Sequence, residues 1–396
     1  MKPKLKIAIY SGAIPSTTFV EHLIEGIATN YDVFIFGVEN KPKVYNSKNV
    51  KVYSTSKHFL KNIIKTKWHV FVLFFTNPKR LFLVLNELKK YKSLYSKWHT
   101  FTRLIPIVRH LPDIFHVQWA KDLERFMFLK EELNVKLVLS LRGAHINYSP
   151  IANLELAESY RNNFPRVDAF HAVSQAIGIE AQKYHAEASK IEVIHSPLPD
   201  HIFNRYKPFE KSTSKTIKIC SVGRFHWIKG MRYLFDALYE LKQQNIDFEC
   251  VCIGSKRMSE ETLFQVNQLG IKENIQLIDN LNQDELFEIM QGCDVLVLPS
   301  LKEGIANVVL EAMAIGLPVI SSNCGGMPEV VIPNETGWLV PTRKPNEIAQ
   351  AIIEVIKTPE NELQRITQNA HDLVKREFNG KESIKQFETL YQKVMS

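Results

Sequence analysis

Strand-like and helical patterns alternate along the whole chain, in two successive series. The first series holds the strand candidates Lys6–Tyr10, Asp32–Phe36, Val70–Phe75, Ile114–Trp119, Lys136–Leu141, Ala169–Val173 and Ile191–Ile194. Amphipathic stretches lie between several of them; in one, Phe19, Leu23 and Ile27 recur at helical spacing. Continuous apolar strands that alternate with helices are typical of parallel sheets covered on both faces. The alternation therefore predicts an α/β fold.

The second series begins after a polar segment, residues 199–215. Its strand candidates are 216–222, 248–253, 275–278, 294–299 and 317–322. A chain of 396 residues is too long for one ordinary core. We therefore predict two Rossmann-like domains whose parallel sheets face a cleft, at residues 1–200 and 201–378. A break at Asn379–Gly380 separates a last helix, residues 379–396, which we expect to pack back on the first domain.

Several signatures of other chemistries are missing from the sequence. It contains no G-x-G-x-x-G, P-loop, H-E-x-x-H or G-x-S-x-G motif, and no Asp-x-Asp pair that could hold a metal at a diphosphate. The five cysteines are scattered, which indicates reduced thiols in a cytosolic protein. No apolar run approaches the roughly 20 residues of a membrane helix, and no signal peptide is visible. We expect no cofactor and no metal, and a cytoplasmic location.

The positive charge is concentrated in one stretch, Lys41–His110. It holds 16 Lys and Arg, one acidic residue (Glu87) and twelve aromatic residues, whereas the chain as a whole has a net charge of +8. Three interpretations are open: a solvated basic face, contact with an anionic membrane surface, and nucleic-acid binding. Basic and aromatic side chains together suit a membrane interface. No nucleic-acid-binding fold accompanies the charge, so we expect no nucleic-acid partner.

A basic loop follows the first strand of the second series, in "CSVGRFHWIKG" (220–230). Gly223 allows close approach of a ligand, Arg224 offers a planar fork of donors and Lys229 a point charge, which suits a pyrophosphate. Such a loop is also common as a solvated turn.

Two glutamates lie eight positions apart around a predicted helix start, in "EGIANVVLE" (303–311). Glu303 follows a buried strand, at the sheet edge where ligands bind in this fold class. The backbone N–H groups of Ile305, Ala306, Asn307 and Val308 would open a helix and form an anion site. Glu311 lies eight residues after Glu303, at most about 12 Å away if the whole segment is helical. Two carboxylates flanking an anion site fit a nucleotide sugar, with hydroxyls at both ends and a diphosphate between. The alternative is a helix-dipole glutamate and an ordinary surface glutamate.

These motifs together resemble the retaining glycosyltransferases of family 4, which have the GT-B fold. The resemblance covers nearly the whole chain: the Gly-Arg…Lys-Gly loop, the paired glutamates, "GGMPE" (325–329), the stretch 170–198 and the closing helix. It implies that Arg224 and Lys229 hold the donor diphosphate, Glu311 the ribose, and Glu303 the sugar near its reacting carbon. The Gly325–Gly326 turn would shape the nucleotide pocket, and no metal would be needed.

The first half of the chain departs from the family pattern. Relatives often have His-x-His where this sequence has His116-Val-Gln118, and His-Gly-x-Asp where it has Arg142-Gly-Ala-His145. The N-terminal glycine loop is reduced to Ser11-Gly12-Ala13. We assign Gly12, Arg142 and His145 to the acceptor side, and His116 to catalysis, with a core histidine as the alternative interpretation of His116. Ser255, Lys256, Arg257 and Asn280 are candidates for contact with the base.

The resemblance implies transfer of a hexose from a UDP- or GDP-sugar to a glycan or lipid-linked acceptor, with retained configuration, in cell-surface polysaccharide synthesis. Lys41–His110 would then dock the enzyme peripherally on the inner face of the plasma membrane. Two alternatives stay open. One is a non-catalytic binding or partner subunit, which the altered histidines favour. The other is a nucleotide-sugar epimerase or a sugar phosphorylase on the same scaffold.

Overall fold

The computed structural model describes residues 4–254, 258–279 and 281–396. The base-contact candidates Ser255, Lys256, Arg257 and Asn280 lie outside these ranges. The chain divides into two compact units. The first comprises residues up to Val173, Ile177–Ser196 and Lys381–Ser396; the second comprises Ser174–Ala176 and Pro197–Gly380.

The first unit is built on a seven-stranded sheet in the order β3-β2-β1-β4-β5-β6-β7. Its strands are β1 Lys6–Ile14, β2 Asp32–Glu39, β3 Val50–Thr55, β4 Ile114–Val117, β5 Lys136–Leu141, β6 Ala169–Ala172 and β7 Ile191–Val193. All neighbouring strands are parallel.

The second unit repeats this arrangement with six strands, in the order β10-β9-β8-β11-β12-β13. Its strands are β8 Ile217–Val222, β9 Phe248–Gly254, β10 Ile275–Asp279, β11 Val295–Leu298, β12 Val319–Ser322 and β13 Trp338–Val340. These strands are also parallel. In both units the order reverses beside the first strand, which is the Rossmann arrangement. The predicted α/β class with two Rossmann-like halves is confirmed.

Helices connect the strands and cover both faces of each sheet. Along the chain they are α1 Thr18–Ile27, α2 Phe59–Thr76, α3 Pro78–Glu87, α4 Leu94–His110, α5 Met127–Leu133, α6 Gly143–Asn147, α7 Ser149–Ala152, α8 Leu154–Asn163, α9 Gln175–Gln182, α10 Asp200–Phe203, α11 Met231–Gln243, α12 Glu260–Gln268, α13 Gln283–Gln291, α14 Asn307–Ile315, α15 Pro345–Lys357, α16 Glu360–Glu377 and α17 Gly380–Met395.

Alternate residues of the central strands point to opposite faces of the sheet and are buried in the apolar layers on those two faces. In β1, Ala8 and Tyr10 join one buried cluster while Ile7 and Ile9 join the other. This two-sided burial explains why the strands are apolar throughout rather than alternating. The last helix, α17, belongs to the first unit, where Phe387 and Tyr391 are buried in the same cluster as Ile7 and Ile9.

One predicted strand is wrong. Val70–Phe75 lies inside α2, an 18-residue helix that ends where Asn77 caps the next helix and Pro78 begins it. A short apolar run has no periodicity that separates a buried strand from a helix. The strand that pairs with β2 is instead β3, whose sequence "VKVYST" is half-exposed and was not predicted.

Candidate active site

Three loops meet at the carboxyl edge of the second sheet. They follow β8, β11 and β12, and β8 and β11 are the neighbouring strands at which the strand order reverses. Ligands bind at this switch point in open α/β sheets. The loops carry residues 223–230, 299–306 and 323–326, which include most of the predicted donor site.

An ion pair joins the first two loops. Lys229 Nζ lies 2.6 Å from Glu303 Oε1, and both side chains are mostly buried, with 16% and 14% of their surface exposed. The hydroxyl of Ser300 donates to the same carboxylate oxygen at 2.7 Å. The structure thus brings together Lys229 and Glu303, which the resemblance assigned to the diphosphate and to the sugar of one donor. Ser300 was not predicted, because a serine at a strand end carries no signal of its own.

Backbone contacts hold the two loops in register. The N–H of Leu301 donates to the carbonyl of Ile228 at 2.7 Å. Gly230 has a left-handed φ of +68°, and a Cβ there would lie 2.0 Å from the carbonyl oxygen of Pro299. Only glycine fits such a position. The sequence Lys229-Gly230 is therefore what places the ammonium group beside Glu303.

The glycine pair after β12 packs directly on the backbone of Glu303. Gly325 has a φ of +55°, and a Cβ there would lie 1.9 Å from the carbonyl oxygen of Glu303. The N–H of Gly326 donates to the carbonyl of Gly304 at 2.7 Å. The thiol of Cys324 is close by, and burial followed by the charge of Glu303 raises its pKa to about 12. The Gly325–Gly326 turn supports the loop of Glu303.

Gly223 and Arg224 lie at the start of the basic loop. A Cβ on Gly223 would lie 3.3 Å from Cε of Lys229, so the lysine stem runs along this glycine. Arg224 is exposed, and in the described parts of the chain its guanidinium has no carboxylate within 4.0 Å. The structure therefore places Arg224 on the same loop as Lys229 without bringing it to Glu303.

Helix α14 begins just after Glu303. Its first residue is Asn307, Ala306 occupies the N-cap position, and no side chain caps this end. The first N–H groups of a helix have no acceptor within it, and the macrodipole favours an anion there. Ala306 and Val308 are buried, Ile305 is half-buried and Asn307 is exposed. The helix begins where the sequence predicts an anion site, and anion binding there stays a prediction.

Glu311 lies in the second turn of α14. Burial raises the pKa of its carboxyl, and a hydrogen bond with Gln283 at the start of α13 opposes that shift. Glu311 and Glu303 therefore have separate surroundings: Glu303 is paired with a lysine, and Glu311 with a neutral amide.

Glu329, the last residue of the "GGMPE" stretch, has clear structural partners. Its carboxylate accepts the backbone N–H groups of Gln175 at 2.9 Å and of Ala176 at 3.0 Å. These two residues belong to the second unit. The sequence contains no signal for this contact, because the partners are more than 150 positions apart.

His116 is a core residue of the first unit. Its side chain is fully buried, with one ring nitrogen 2.8 Å from the Tyr391 hydroxyl and the other 2.8 Å from Ser140 Oγ. Burial lowers its pKa to about 3. Both nitrogens are occupied and the ring is inaccessible, so the assignment of His116 to catalysis is corrected to the core-histidine alternative.

The acceptor-side candidates lie at the carboxyl edge of the first sheet. Arg142 follows β5, is buried, and stacks on the Phe19 ring with its guanidinium carbon 3.9 Å from the centroid. Burial lowers the pKa of Arg142 to about 9 and that of His145 to about 4. Gly12 has a φ of +81°, and a Cβ there would meet no atom within 4 Å. These three residues share one sheet edge with open space above Gly12.

In the described residues, no three His, Cys, Asp or Glu side chains are grouped so that they could hold a metal ion. Within the same residues, none of the helices has both the length and the apolar character needed to cross a membrane.

The chain resembles known glycosyltransferases in sequence and in fold. Residues 203–373 match the family model described as Glycosyl transferases group 1. WcaL of Escherichia coli, named for colanic acid biosynthesis, is 26% identical over 251 residues, which cover 62% of this chain and 61% of WcaL. The amylovoran biosynthesis glycosyltransferase AmsK of Erwinia amylovora is 28% identical over 279 residues, 67% of each chain.

Among solved structures, Anabaena HepE in complex with UDP-glucose superposes with a TM-score of 0.69, at 18% identity, over 98% of this chain and 100% of HepE. The second unit therefore carries a glycosyl transferases group 1 domain, and the two Rossmann-like units have the GT-B fold. The sequence match spans about three fifths of WcaL and two thirds of AmsK.

Proposed function

We propose that this chain, with its glycosyl transferases group 1 domain, is a retaining glycosyltransferase of family 4. It moves a hexose from a UDP- or GDP-sugar to a hydroxyl of a glycan or lipid-linked acceptor. The observation that carries the proposal is the Lys229–Glu303 pair beside the amino end of α14, at the switch point of the second sheet. A fixed cation, a fixed anion and a helix amino end within one loop cluster suit a sugar joined to a diphosphate.

In this proposal the cationic groups hold the leaving group. As the bond between the sugar and the diphosphate breaks, negative charge grows on the phosphate oxygens. Lys229, Arg224 and the first N–H groups of α14 stabilise that charge, and they are positioned before the reaction begins. Arg224 is exposed in the structure and would turn towards the bound donor.

The carboxylates orient the two ends of the donor. Glu303, held by Ser300 as well as by Lys229, accepts hydrogen bonds from the sugar hydroxyls near the reacting carbon. Glu311 accepts from the ribose hydroxyls, for which an ionised carboxylate is a strong acceptor. When the diphosphate is bound, Lys229 is shared between it and Glu303, so the ion pair keeps the lysine in place until the donor arrives.

Retention needs no protein base in the front-face route. The acceptor oxygen attacks the sugar carbon on the side from which the phosphate leaves, the carbon–oxygen bond to the phosphate breaks, and the acceptor proton passes to the departing phosphate oxygen. The charge is balanced by Lys229 and Arg224, and we propose that no metal ion takes part. Full transfer in excess EDTA is the expected result; loss on chelation and rescue by Mn²⁺ would contradict it.

The names of the relatives support the choice of donor and acceptor class. HepE binds UDP-glucose, and WcaL and AmsK are named for the synthesis of surface polysaccharides. We propose a uridine or guanosine diphosphate sugar as donor and a growing, lipid-linked polysaccharide as acceptor.

We also propose that the stretch Lys41–His110 docks the protein on an anionic membrane. The stretch is strongly basic and forms α2, α3 and α4. Co-sedimentation should rise with the fraction of anionic lipid in vesicles and fall with added salt. Equal binding to neutral and anionic vesicles would contradict this part of the proposal.

The experiment that tests the function is transfer by Glu303→Gln, with Glu335→Gln, an exposed glutamate of the same unit, as matched control. The amide keeps the shape and removes the charge, so we expect transfer and donor hydrolysis to fall by about a hundredfold or more. Glu335→Gln should match the wild type. An unimpaired Glu303→Gln protein would overturn the assignment. Release of an epimerised sugar or of its nucleotide without any acceptor would indicate an epimerase instead.

A further inference from the structure

Helix α2 exposes a continuous apolar stripe. Leu60, Ile64, Trp68, Phe71 and Phe75 recur at spacings of three or four residues, which places them on one face. Each has more than half of its surface exposed. In this 18-residue helix only Thr66 and Leu73 are buried. A surface helix of a water-soluble domain normally turns charged residues outwards.

A groove runs along a second face of the same helix, between α2 and α4. Its volume is about 740 Å³, and its walls include Phe59, Val70, Phe74, Trp98 and Phe101. The rings of Phe59 and Trp98 lie near each other in its lining, with centroids 6.4 Å apart and planes inclined by 58°. The only charged side chain in its lining is that of Lys67. The groove is therefore an apolar channel with a cation at its rim.

The charges around the groove have one sign. In the described residues, neither Lys61 nor Lys67 has a carboxylate within 4.0 Å, and Lys65 reaches only Glu39 at that limit. Glu87, the sole acidic residue of the stretch, is paired with Lys90 at 2.7 Å. A groove with an apolar lining, the ammonium group of Lys67 at its edge and further positive charge on the same helix is complementary to a molecule with a hydrocarbon chain and an anionic head.

The groove reaches the edge of the sheet where the acceptor candidates lie. Helix α2 begins four residues after the carboxyl end of β3, so Phe59 lies near that edge. Helix α4 leads into the amino end of β4, so Trp98, in its first half, is also towards the carboxyl edge. Gly12 lies near the carboxyl end of β1, and Arg142 and His145 follow the carboxyl end of β5.

We propose that the groove between α2 and α4 seats one hydrocarbon chain of an anionic membrane phospholipid, with Lys67 at its phosphate and the stripe of α2 in the bilayer interface. This deepens, and rests on, the proposed transfer to a lipid-linked acceptor at a membrane. When a hydrocarbon chain of a membrane lipid enters the groove, the carboxyl edge of the first sheet comes to the bilayer surface. The head group of a lipid-linked acceptor lies at that surface. Binding by charge alone would leave the groove unused.

The test uses the full-length protein and monomeric lyso-phosphatidylglycerol whose single chain carries a doxyl group that quenches tryptophan. Phe74→Glu places a charge in the groove at a side chain that is already 60% exposed. The matched control, Phe82→Glu on α3, changes a 67% exposed phenylalanine that does not line the groove.

We expect saturable quenching of the wild type, at least about tenfold weaker binding by Phe74→Glu, and wild-type binding by Phe82→Glu. Trp98→Phe should remove much of the quenched signal. Lyso-phosphatidylcholine, which has no net charge, should bind more weakly. Equal binding by both phenylalanine variants would overturn the proposal, as would binding of a short polyprenyl phosphate but not of the phospholipid. The proposal would also be overturned if the wild type bound no lipid and formed a dimer that Phe74→Glu converted to a monomer.

The two proposals fail in different ways. Phe74→Glu should keep wild-type donor hydrolysis and transfer to a water-soluble acceptor, because the groove lies in the first unit and the donor loops in the second. If the wild type binds the lipid but transfers no sugar, the proposed function fails and the groove stands. If the wild type transfers sugar but its tryptophan fluorescence is not quenched by the lipid, only the proposal of lipid binding in the groove fails.

Discussion

Lys229 and Glu303 lie 74 positions apart in the sequence, and their charged atoms are 2.6 Å apart in the structure. Neither side chain is more than 16% exposed, so each charge depends on the other for compensation. Both stand on loops that follow neighbouring strands, and both loops are held by glycines that no other residue could replace without a clash. In the proposed function this pair lies at the centre of the donor site.

The first prediction concerns the glycine that supports Glu303. Gly325→Ala adds a Cβ 1.9 Å from the Glu303 carbonyl oxygen and forces alanine into a left-handed conformation, which costs about 1–2 kcal/mol before the clash. The loop that carries Glu303 must shift to relieve the clash. A misplacement of about 1 Å in the groups that position a substrate lowers the reaction rate by about a hundredfold. Steady-state transfer rates and melting temperature measure both effects.

The matched control is Gly292→Ala. Gly292 has an ordinary φ of −87°, and a Cβ there would have its nearest neighbour at 3.4 Å. We expect it to melt and react like the wild type. If both alanine variants react at the wild-type rate, the turn does not position Glu303.

The second prediction concerns Glu311. Burial raises the pKa of its carboxyl, so the folded state disfavours the ionised form and loses stability as the pH rises above the ordinary carboxyl range. Glu311→Gln should therefore melt at or above the wild-type temperature at neutral pH. It should also raise the KM for the donor by about tenfold with a smaller change in kcat, because ribose binding persists into the transition state.

The pH dependence separates this role from a structural one. In the wild type, acidification protonates Glu311 at a higher pH than an ordinary carboxyl, so donor KM should rise as the pH falls through that range. In Glu311→Gln this rise should disappear. A variant with wild-type KM at every pH would show that Glu311 does not bind the donor.

The third prediction concerns His116. Its pKa is lowered to about 3, so the folded protein keeps it neutral while the unfolded chain takes up a proton below about pH 6.5. Its contribution to stability is complete above that pH and is lost as the pH falls towards 3. NMR of the imidazole should show no titration between pH 7 and pH 4.

His116→Gln should lower stability by about 1–3 kcal/mol, because the buried Tyr391 hydroxyl loses its ring-nitrogen partner and the Ser140 hydroxyl loses one of its contacts. The pH profile of kcat should keep its shape, and His58→Gln, at an exposed position, should change neither property. Loss of the basic or acidic limb of the profile in His116→Gln would restore the catalytic assignment.

The sequence predicted the architecture well because most strands are short, β-branched and bounded by polar residues. Lys136–Leu141 was predicted to the residue, and Ile114 was found as the start of β4. It failed at Val70–Phe75, where Leu73 is buried but Phe71, Phe74 and Phe75 are exposed, so the apolar run does not report burial on both faces. Propensity reasoning assumes that an apolar run is buried, and α2 breaks that assumption.

The candidate site could be predicted in part. Lys229, Glu303 and the glycines are neighbours because of strand order, which the alternation of strands and helices predicts. The contact of Ser300 with Glu303 depends on loop conformation, and so does the contact of Glu329 with the N–H groups of Gln175 and Ala176. Neither loop conformation can be predicted from the local sequence. His116 was ambiguous because a strand-end histidine looks the same whether its partners are substrate or core hydroxyls.

The most direct measurement of the central claim is calorimetric titration of UDP- and GDP-sugars into the wild type, Lys229→Met and the control Lys375→Met, an exposed lysine of the same unit. If Lys229 holds the donor diphosphate, one of these sugars binds the wild type and Lys375→Met equally. Lys229→Met then binds it about tenfold to a hundredfold more weakly, the loss of one charge-assisted contact. Equal affinity of Lys229→Met and the wild type would contradict the account.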